Sequence, residues 1–278
     1  MRNCDDRTVA SAYTNSTIAD LGNPGKRSRR MADILDFVSG RGEASVQELS
    51  EHFHASPATL RRDLGLLADQ GLLVRTHGGA TMNGGPAEVP VALRDTRFAD
   101  AKARIARAAA ALVPRERHAV SFSGGTTTAS VARELAWHND LTVVTNSLTI
   151  ATLLARFPRL KVVMTGGILR PQSLELVGIL AEGTFNAVKH VGTAFLGADG
   201  ISADEGVTTH DETEARTNHA MVSKADRTIV VADGSKVGRA AFASMADISE
   251  IDVLVTDDTA DPDELVRLRA LGVQVIVA

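Results

Sequence analysis

Ser56-Pro57-Ala58-Thr59-Leu60-Arg61-Arg62-Asp63-Leu64 is the stretch on which the reading of the first part of this chain turns. Ser56 is a favourable N-cap, and Pro57 suits the first helical position, where a missing N–H costs nothing. Leu60, Leu64 and Leu67 stand at i, i+4 and i+7, which makes one apolar stripe for a small core. Ala58 and Arg62, with Thr59 and Arg61 at the edges, point away from that stripe. A methyl, a hydroxyl and two guanidiniums on the first turns of one helix are the groups that read base edges and phosphates. The plainer reading is a surface helix with two solvated arginines, and this segment alone leaves both open.

The flanking residues favour the first reading. Met31, Ile34, Leu35 and Val38 predict an amphipathic helix that stops at Gly40 and Gly42. Ser45-Val46-Gln47-Glu48 spells a capping box, in which hydroxyl and carboxylate satisfy two free backbone N–H groups. Val46, Leu49 and Phe53 then supply the buried face of a short second helix, and His54-Ala55 is the turn into the Ser56 helix. After Gly71, the run Leu72-Leu73-Val74-Arg75-Thr76-His77-Gly78-Gly79 reads as a β-wing closed by glycines. Helices and hairpin in this order, with arginines on the third helix and the wing, make a winged helix-turn-helix. A purely structural helical cap needs no such wing. The candidate DNA contacts are Ser56, Ala58, Thr59, Arg61 and Arg62 on the helix, and Arg75 and His77 on the wing. Asp63 is expected to pair with a nearby arginine, because an acid turned to phosphate would repel it.

Charge is a weaker witness. From Lys26 to Ala80 there are eight Lys/Arg against seven Asp/Glu, but the cations bunch at 26–30 and at Arg61, Arg62 and Arg75. The full chain of 278 residues carries a net charge of −4, which argues for specific binding by an oligomer over nonspecific coating of nucleic acid. A hydrophobic content of 44% is ample for a core beyond the small first domain. One cysteine, Cys4, provides neither a disulfide framework nor a cysteine-based zinc site, and no metal or cofactor is expected. No apolar run approaches the ~20 residues of a membrane span, and residues 1–25 lack the apolar core of a signal peptide. The expected organisation is a flexible tail over 1–25, the winged helix-turn-helix over 26–81 and a Gly/Pro-bearing linker over 82–92. An α/β domain follows over 93–278, in a soluble, cytoplasmic protein.

In that last segment apolar strands alternate with helices. Strands are predicted at Ala119–Phe122, Leu141–Thr145, Lys161–Met164, Val191–Leu196, Arg227–Val231, Val253–Thr256 and Val273–Val277. The fold class is therefore α/β, with a mostly parallel sheet covered on both faces. Ligands of such sheets bind at the C-terminal ends of the strands. Ser123-Gly124-Gly125-Thr126-Thr127-Thr128 lies there, between a strand and a helix, and its glycines, hydroxyls and helix N-terminus suit a phosphate. No Gly-Lys-Ser/Thr follows, so a monophosphate or sugar phosphate fits better than a nucleoside triphosphate. The alternative is an N-cap with a tight turn. Similar polar loops follow other strands: Thr145-Asn146-Ser147, Thr165-Gly166-Gly167 with Arg170 beyond, Gly197-Ala198-Asp199-Gly200, and Asp233 to Gly238 with Lys236. Asp199 can hold a sugar hydroxyl, and Arg170 or Lys236 can pair with phosphate, although Asp233 and Lys236 fit a structural turn equally well. Glu214, on a helix after His210-Asp211, suits either pocket or surface.

With these residues in place, the chain resembles the DeoR family of transcriptional regulators from about Arg29 to its C-terminus. The resemblance rests on Arg30, Ile34, Val38, Ser56 and Thr59 to Leu64 for the helix-turn-helix, and on Arg75, His77, Gly78, Gly79 and Ala80 for the wing. In the second half it rests on Gly125 to Thr128, Thr145-Asn146, Gly166-Gly167, Gly197 with Asp199-Gly200, and Asp233 to Gly238. The family implies a repressor, sometimes an activator, of sugar or nucleoside catabolism that responds to a phosphorylated sugar. Its sensor domain is similar to ribose-5-phosphate isomerase. That similarity raises an isomerase with an appended DNA-binding domain as the rival function. The resemblance to that isomerase implies a lysine soon after its acidic loop, yet none occurs from Gly200 to Ser223, and Arg216 is a poor proton shuttle. An architectural DNA-binding protein leaves the polar rim loops without a purpose. The expected partners are thus double-stranded operator DNA, a phosphorylated sugar and further copies of the chain as dimer or tetramer, with no membrane and no catalytic residue.

Overall fold

The computed structural model of the protein describes residues 26–82, 88–94 and 98–278. The expected tail over 1–25 and residues 83–87 of the expected linker lie outside them. The chain divides into two compact units, Met1–Arg97 and Phe98–Ala278.

The first unit runs α1 (Lys26–Arg41), β1 (Glu43–Ser45), α2 (Val46–Phe53), α3 (Pro57–Asp69), β2 (Val74–Arg75), β3 (Gly79–Thr81) and α4 (Val91–Arg94). The capping box forms at α2: the Ser45 hydroxyl accepts from the Glu48 N–H, and the Glu48 carboxylate accepts from the Ser45 N–H at 2.8 Å. Ser56 caps α3 by accepting from the Thr59 N–H, with Pro57 in the first turn. Leu60, Leu64 and Leu67 are buried with Ile34, Leu35, Val38 and Leu49 in one core. The wing is three-stranded, since β3 pairs antiparallel with both β2 and β1. Strand β1 is too short to register as a sequence pattern. At Gly79 an added Cβ would lie 2.0 Å from the Ala44 carbonyl oxygen, so only glycine admits this approach of β1. Leu93 of α4 is buried in this same core, whereas the sequence placed residue 93 at the start of the second domain.

The second unit begins with α5 (Ala99–Ala110), β4 (His118–Phe122), α6 (Thr126–Leu135), β5 (Leu141–Thr145), α7 (Leu148–Leu154) and β6 (Lys161–Met164). It continues through β7 (Ile168–Arg170), β8 (Glu175–Val177), α8 (Ile179–Ala187), β9 (Thr193–Leu196), β10 (Gly200–Ser202), β11 (Gly206–Thr209) and α9 (Glu212–Val222). It ends with β12 (Thr228–Val231), β13 (Ala243–Ala246), β14 (Val253–Thr256), α10 (Pro262–Ala270) and β15 (Gln274–Val277). Seven of these strands form one parallel sheet in the order β15-β14-β12-β9-β4-β5-β6. Along β12, Ile229 and Val231 belong to one buried cluster and Val230 to the other; Val253, Val255 and Leu254 of β14 divide in the same way. Both faces of the sheet are covered, which is why the strands read as unbroken apolar runs.

Two antiparallel pieces were not foreseen: the hairpin β7–β8, and the sheet β10-β11-β13. From β4 the sheet grows outward through β5 and β6 on one side and through β9, β12, β14 and β15 on the other. The strand order therefore reverses between β4 and β9, which is the kind of switch point beyond whose strand ends ligands bind in open α/β sheets.

Candidate nucleic-acid interface and effector site

On α3 the capping and the apolar stripe set the helix rotation, and the opposite face is left to solvent. Ser56, Ala58, Arg61 and Arg62 are exposed and Thr59 is half-buried, while the core leucines Leu60, Leu64 and Leu67 are buried on the other face. Arg75 and His77 are exposed on the wing, and the Arg75 guanidinium lies beside Gly65 of α3, 3.9 Å from where a Cβ would stand. Asp63 behaves as the sequence argued: only 1% exposed, it accepts from Arg30 Nε at 2.7 Å and from Arg27 Nε at 3.2 Å. The two arginines of α1 thereby hold the recognition helix from behind, while Arg61 and Arg62 face outward. The geometry is that of a helix presented to a groove, with a cationic wing at its side.

In the second unit every one of the polar loops lies on the same rim, because the strands before them are parallel. The loops after β4 and β9 join directly across the switch point: the Gly197 N–H donates to Ser123 Oγ at 3.0 Å, and the Ser123 N–H to the Phe195 carbonyl at 3.1 Å. Helix α6 starts at Gly125 with φ +118° and no side-chain cap, so its first-turn amides have no acceptor within the helix. Thr128 turns its hydroxyl back to the Gly124 and Gly125 carbonyls, each at 2.9 Å, and so shapes the loop. Thr127 is buried, while Gly125 and Thr126 are half-exposed.

The amide of Gly124 is already engaged: it donates to Oε1 of Glu175, which is 1% exposed. A Cβ at position 124 would lie 2.5 Å from Glu175 Cγ, so glycine is needed here to admit the carboxyl. Glu175 arrives on β8, which runs beside the end of β5 through the Leu176 N–H to the Asn146 carbonyl, 2.8 Å. It meets Glu214 and Asn218 of α9. Burial, then the charge of Glu214, pushes the Glu175 carboxyl well above the usual carboxylate range, and the Gly124 amide only partly opposes this.

Glu214 is buried, so it is not an exposed surface charge. It accepts from Thr209 Oγ1 at 2.7 Å and from Arg170 at 3.1 Å, while Glu212 on the other face of α9 is exposed. Arg170 also lies 3.3 Å from Asp211. Burial works against the charge of Asp211, but the Glu214 amide and Arg170 outweigh it and hold its carboxyl below the usual range. Asp199 accepts from Thr209 Oγ1 at 3.1 Å, and Lys236 stands 3.8 Å from it. Asn146, wholly buried, donates to Asn218 at 3.1 Å and leaves its own carbonyl oxygen without a hydrogen-bond partner among the described residues. Gly166 is exposed, and Gly167, with φ +132°, packs against the Val177 backbone. Gly200 is a buried residue of β10 whose carbonyl accepts from Thr208, so its place is in the packing behind the rim.

The rim thus gathers Ser123 to Thr128, Asn146, Asp199, Glu214, Arg170 and Lys236 into one polar region. Glu175, Asn218 and Thr209 are the members that the sequence reading missed. The one signal for Glu175 was a charged residue inside the apolar run Leu174-Glu175-Leu176-Val177. Among the described residues no group of acids, histidines or cysteines is arranged to hold a metal, and no helix is long and apolar enough to cross a membrane.

Comparison with known proteins agrees with both halves of this picture. Residues 30–84 match the model of the DeoR-like helix-turn-helix domain, and residues 97–258 match that of the DeoR C terminal sensor domain. The chain is 38% identical over 255 residues to the HTH-type transcriptional regulator GlpR of Haloferax volcanii, covering 91% of this chain and 97% of that one. It is 35% identical over 234 residues to the glycerol-3-phosphate regulon repressor of Escherichia coli, covering 84% and 91%. Among solved structures, ribose 5-phosphate isomerase A from Neisseria gonorrhoeae aligns with 49% of this chain and 52% of its own, at 19% identity and a TM-score of 0.36.

Proposed function

Since the chain belongs to the DeoR family of DNA-binding transcriptional repressors and carries its sensor domain, we propose that it represses a sugar-catabolism operon under the control of a phosphorylated sugar. In this reading Arg62, Arg61, Thr59 and Ala58 meet base edges and phosphates in the major groove, with Ser56 at the helix start. Arg75 and His77 touch the backbone or the adjacent minor groove from the wing. Dimeric or tetrameric assembly through the second unit sets the half-site spacing, about 34 Å for adjacent major grooves. The protein acts in the cytoplasm, where operator DNA is.

The observation that carries the effector half is the switch point between β4 and β9, with the uncapped start of α6 beside it. Helix amides with no internal acceptor, a hydroxyl-rich first turn and the partial positive charge of a helix N-terminus suit a phosphate. Asp199, Asn146 and Glu214 provide acceptors for sugar hydroxyls, while Lys236 and Arg170 balance charge at the two edges of the region. Effector binding changes operator affinity only through a difference in affinity between two arrangements of the protein. A coupling of ~1–3 kcal/mol would alter operator affinity roughly 5- to 150-fold.

Thermal unfolding against a panel of sugar phosphates, glycerol 3-phosphate and their unphosphorylated parents tests this reading. A ligand at ~100 times its dissociation constant adds about 2.7 kcal/mol of stability, a visible shift. The expected result is a shift by one phosphorylated compound and none by its parent. That compound is then expected to change retention of an operator fragment. No shift by any member would remove the sugar-phosphate reading and leave the DNA-binding half intact.

A further inference from the structure

Glu175 stands where an anionic ligand would be expected to begin. The Ser123 N–H of the loop that leads into α6 is bound to Phe195, the Gly124 amide is the next, and the Glu175 carboxyl takes it. The fit is close, since any side chain at position 124 would collide with this carboxyl. Among the described residues no salt bridge pairs Glu175 with a cation. Glu214 and Asn218 face it from α9 and the Gly124 amide from the loop. Arg170 is its partner in the β7–β8 register, but that guanidinium joins Glu214 and Asp211. Asp199 and Lys236 belong to the same network one step further, through Thr209. A fully buried acid next to a second acid is costly as a core element and serves packing less well than a glutamine of the same shape.

We propose that Glu175 is a specificity-determining residue of the effector site: its carboxyl occupies the Gly124 amide in the free protein, and the phosphate of an effector takes that amide from it. The inference rests on the sugar-phosphate reading above and adds a rule of selection to it. A neutral sugar hydroxyl gains no charge-assisted bond by replacing the carboxyl at a backbone N–H, whereas an anionic phosphate oxygen does and so is the stronger acceptor. Once displaced toward water, the Glu175 side chain is an ordinary carboxylic acid and ionises at neutral pH. In the free protein burial and Glu214 favour its protonated form. Effector binding therefore releases a proton that comes from the protein: the carboxyl O–H breaks, the electron pair stays on Glu175, and the proton goes to buffer.

The experiment is calorimetric titration of the full-length protein with inorganic phosphate, glycerol 3-phosphate and ribose 5-phosphate at several pH values, for wild type and Glu175→Gln. The glutamine keeps the shape and an acceptor for Gly124 but has no proton to lose. Comparing the two proteins with one probe cancels the titration of the probe itself. The wild-type to variant affinity ratio is expected to rise with pH, by up to about tenfold per unit. Were the variant not to fold, inorganic sulfate would serve with wild type alone, since it does not titrate in this range. Proton release on its binding, read from heats in two buffers, is expected, and its absence would overturn the proposal. Binding with a ratio that stays flat or falls with pH overturns the role of Glu175 and leaves the sugar-phosphate site standing. Binding of none of the phosphorylated probes overturns both.

Discussion

The DNA-reading unit and the sensor each bury a carboxyl to 1% exposure, Asp63 in one and Glu175 in the other, and surround it in opposite ways. Asp63 lies between two guanidiniums, Arg27 and Arg30, both reaching it from α1. Glu175 faces a second acid and a backbone amide. A buried acid held by cations from another element acts as a clamp, because removing either side strands a charge out of water. A buried acid held by another acid is poised, because its protonation and its position are both open to a competing anion. The first suits a helix that must keep one orientation toward DNA. The second suits the effector site proposed above, which must respond to what binds it.

The contrast breaks or sharpens under four changes. The largest effect is expected from Arg30→Ala, which leaves Asp63 buried with Arg27 alone. Loss of about 2–4 kcal/mol from the N-terminal unit should appear as faster hydrogen exchange over 26–82, with the sensor unaffected. Unchanged protection there would mean that Asp63 is no clamp.

Arg62→Ala removes a groove-facing guanidinium that touches neither buried acid. It should cost about 1–3 kcal/mol of operator affinity, roughly 5- to 150-fold, in a gel-shift titration. Effector-induced thermal shifts should be unaltered, and an equal loss of both would sink the division of labour between the units.

Glu175→Gln is expected to change the pH profile of sensor stability. The folded-state pKa of Glu175 is raised, from an unfolded value of about 4.3, so protonation favours the folded form. That contribution is full below about pH 4.3 and fades as pH rises toward the raised folded value. The wild-type sensor should therefore lose stability with rising pH relative to the variant, by at most ~1.4 kcal/mol per unit. Parallel melting curves from pH 4.5 to 8 would show that Glu175 is not the titrating group. Ser56→Ala, the smallest change, loses the cap of α3 and should cost about 1 kcal/mol in chemical denaturation of the N-terminal unit.

Much of this architecture was legible along the chain because it is written locally. Ser45 with Glu48 and Ser56 with Pro57 announce their helices within one turn, and both caps form as read. The apolar runs that predicted the parallel strands recur in the sheet at nearly the same bounds, since each run is buried on both faces. The short antiparallel pieces were hidden for the converse reason. β1, β7, β8 and β10 have three residues each, too few for a period of two to stand out, and they exist because a partner strand supplies their hydrogen bonds.

By itself, then, the sequence determined the element types, the winged helix-turn-helix, the parallel sheet and the polar rim, since capping, periodicity and strand composition act over a few residues. The sequence also anticipated an arginine partner for Asp63, but only the tertiary structure decided which arginines these are and that Glu175 is buried against a second acid. Asp63 meets Arg27 and Arg30 across 36 and 33 residues, and Glu175 meets Gly124 across 51. Burial and the identity of the charges that surround a group are properties of such distant neighbours, and a local pattern does not name them.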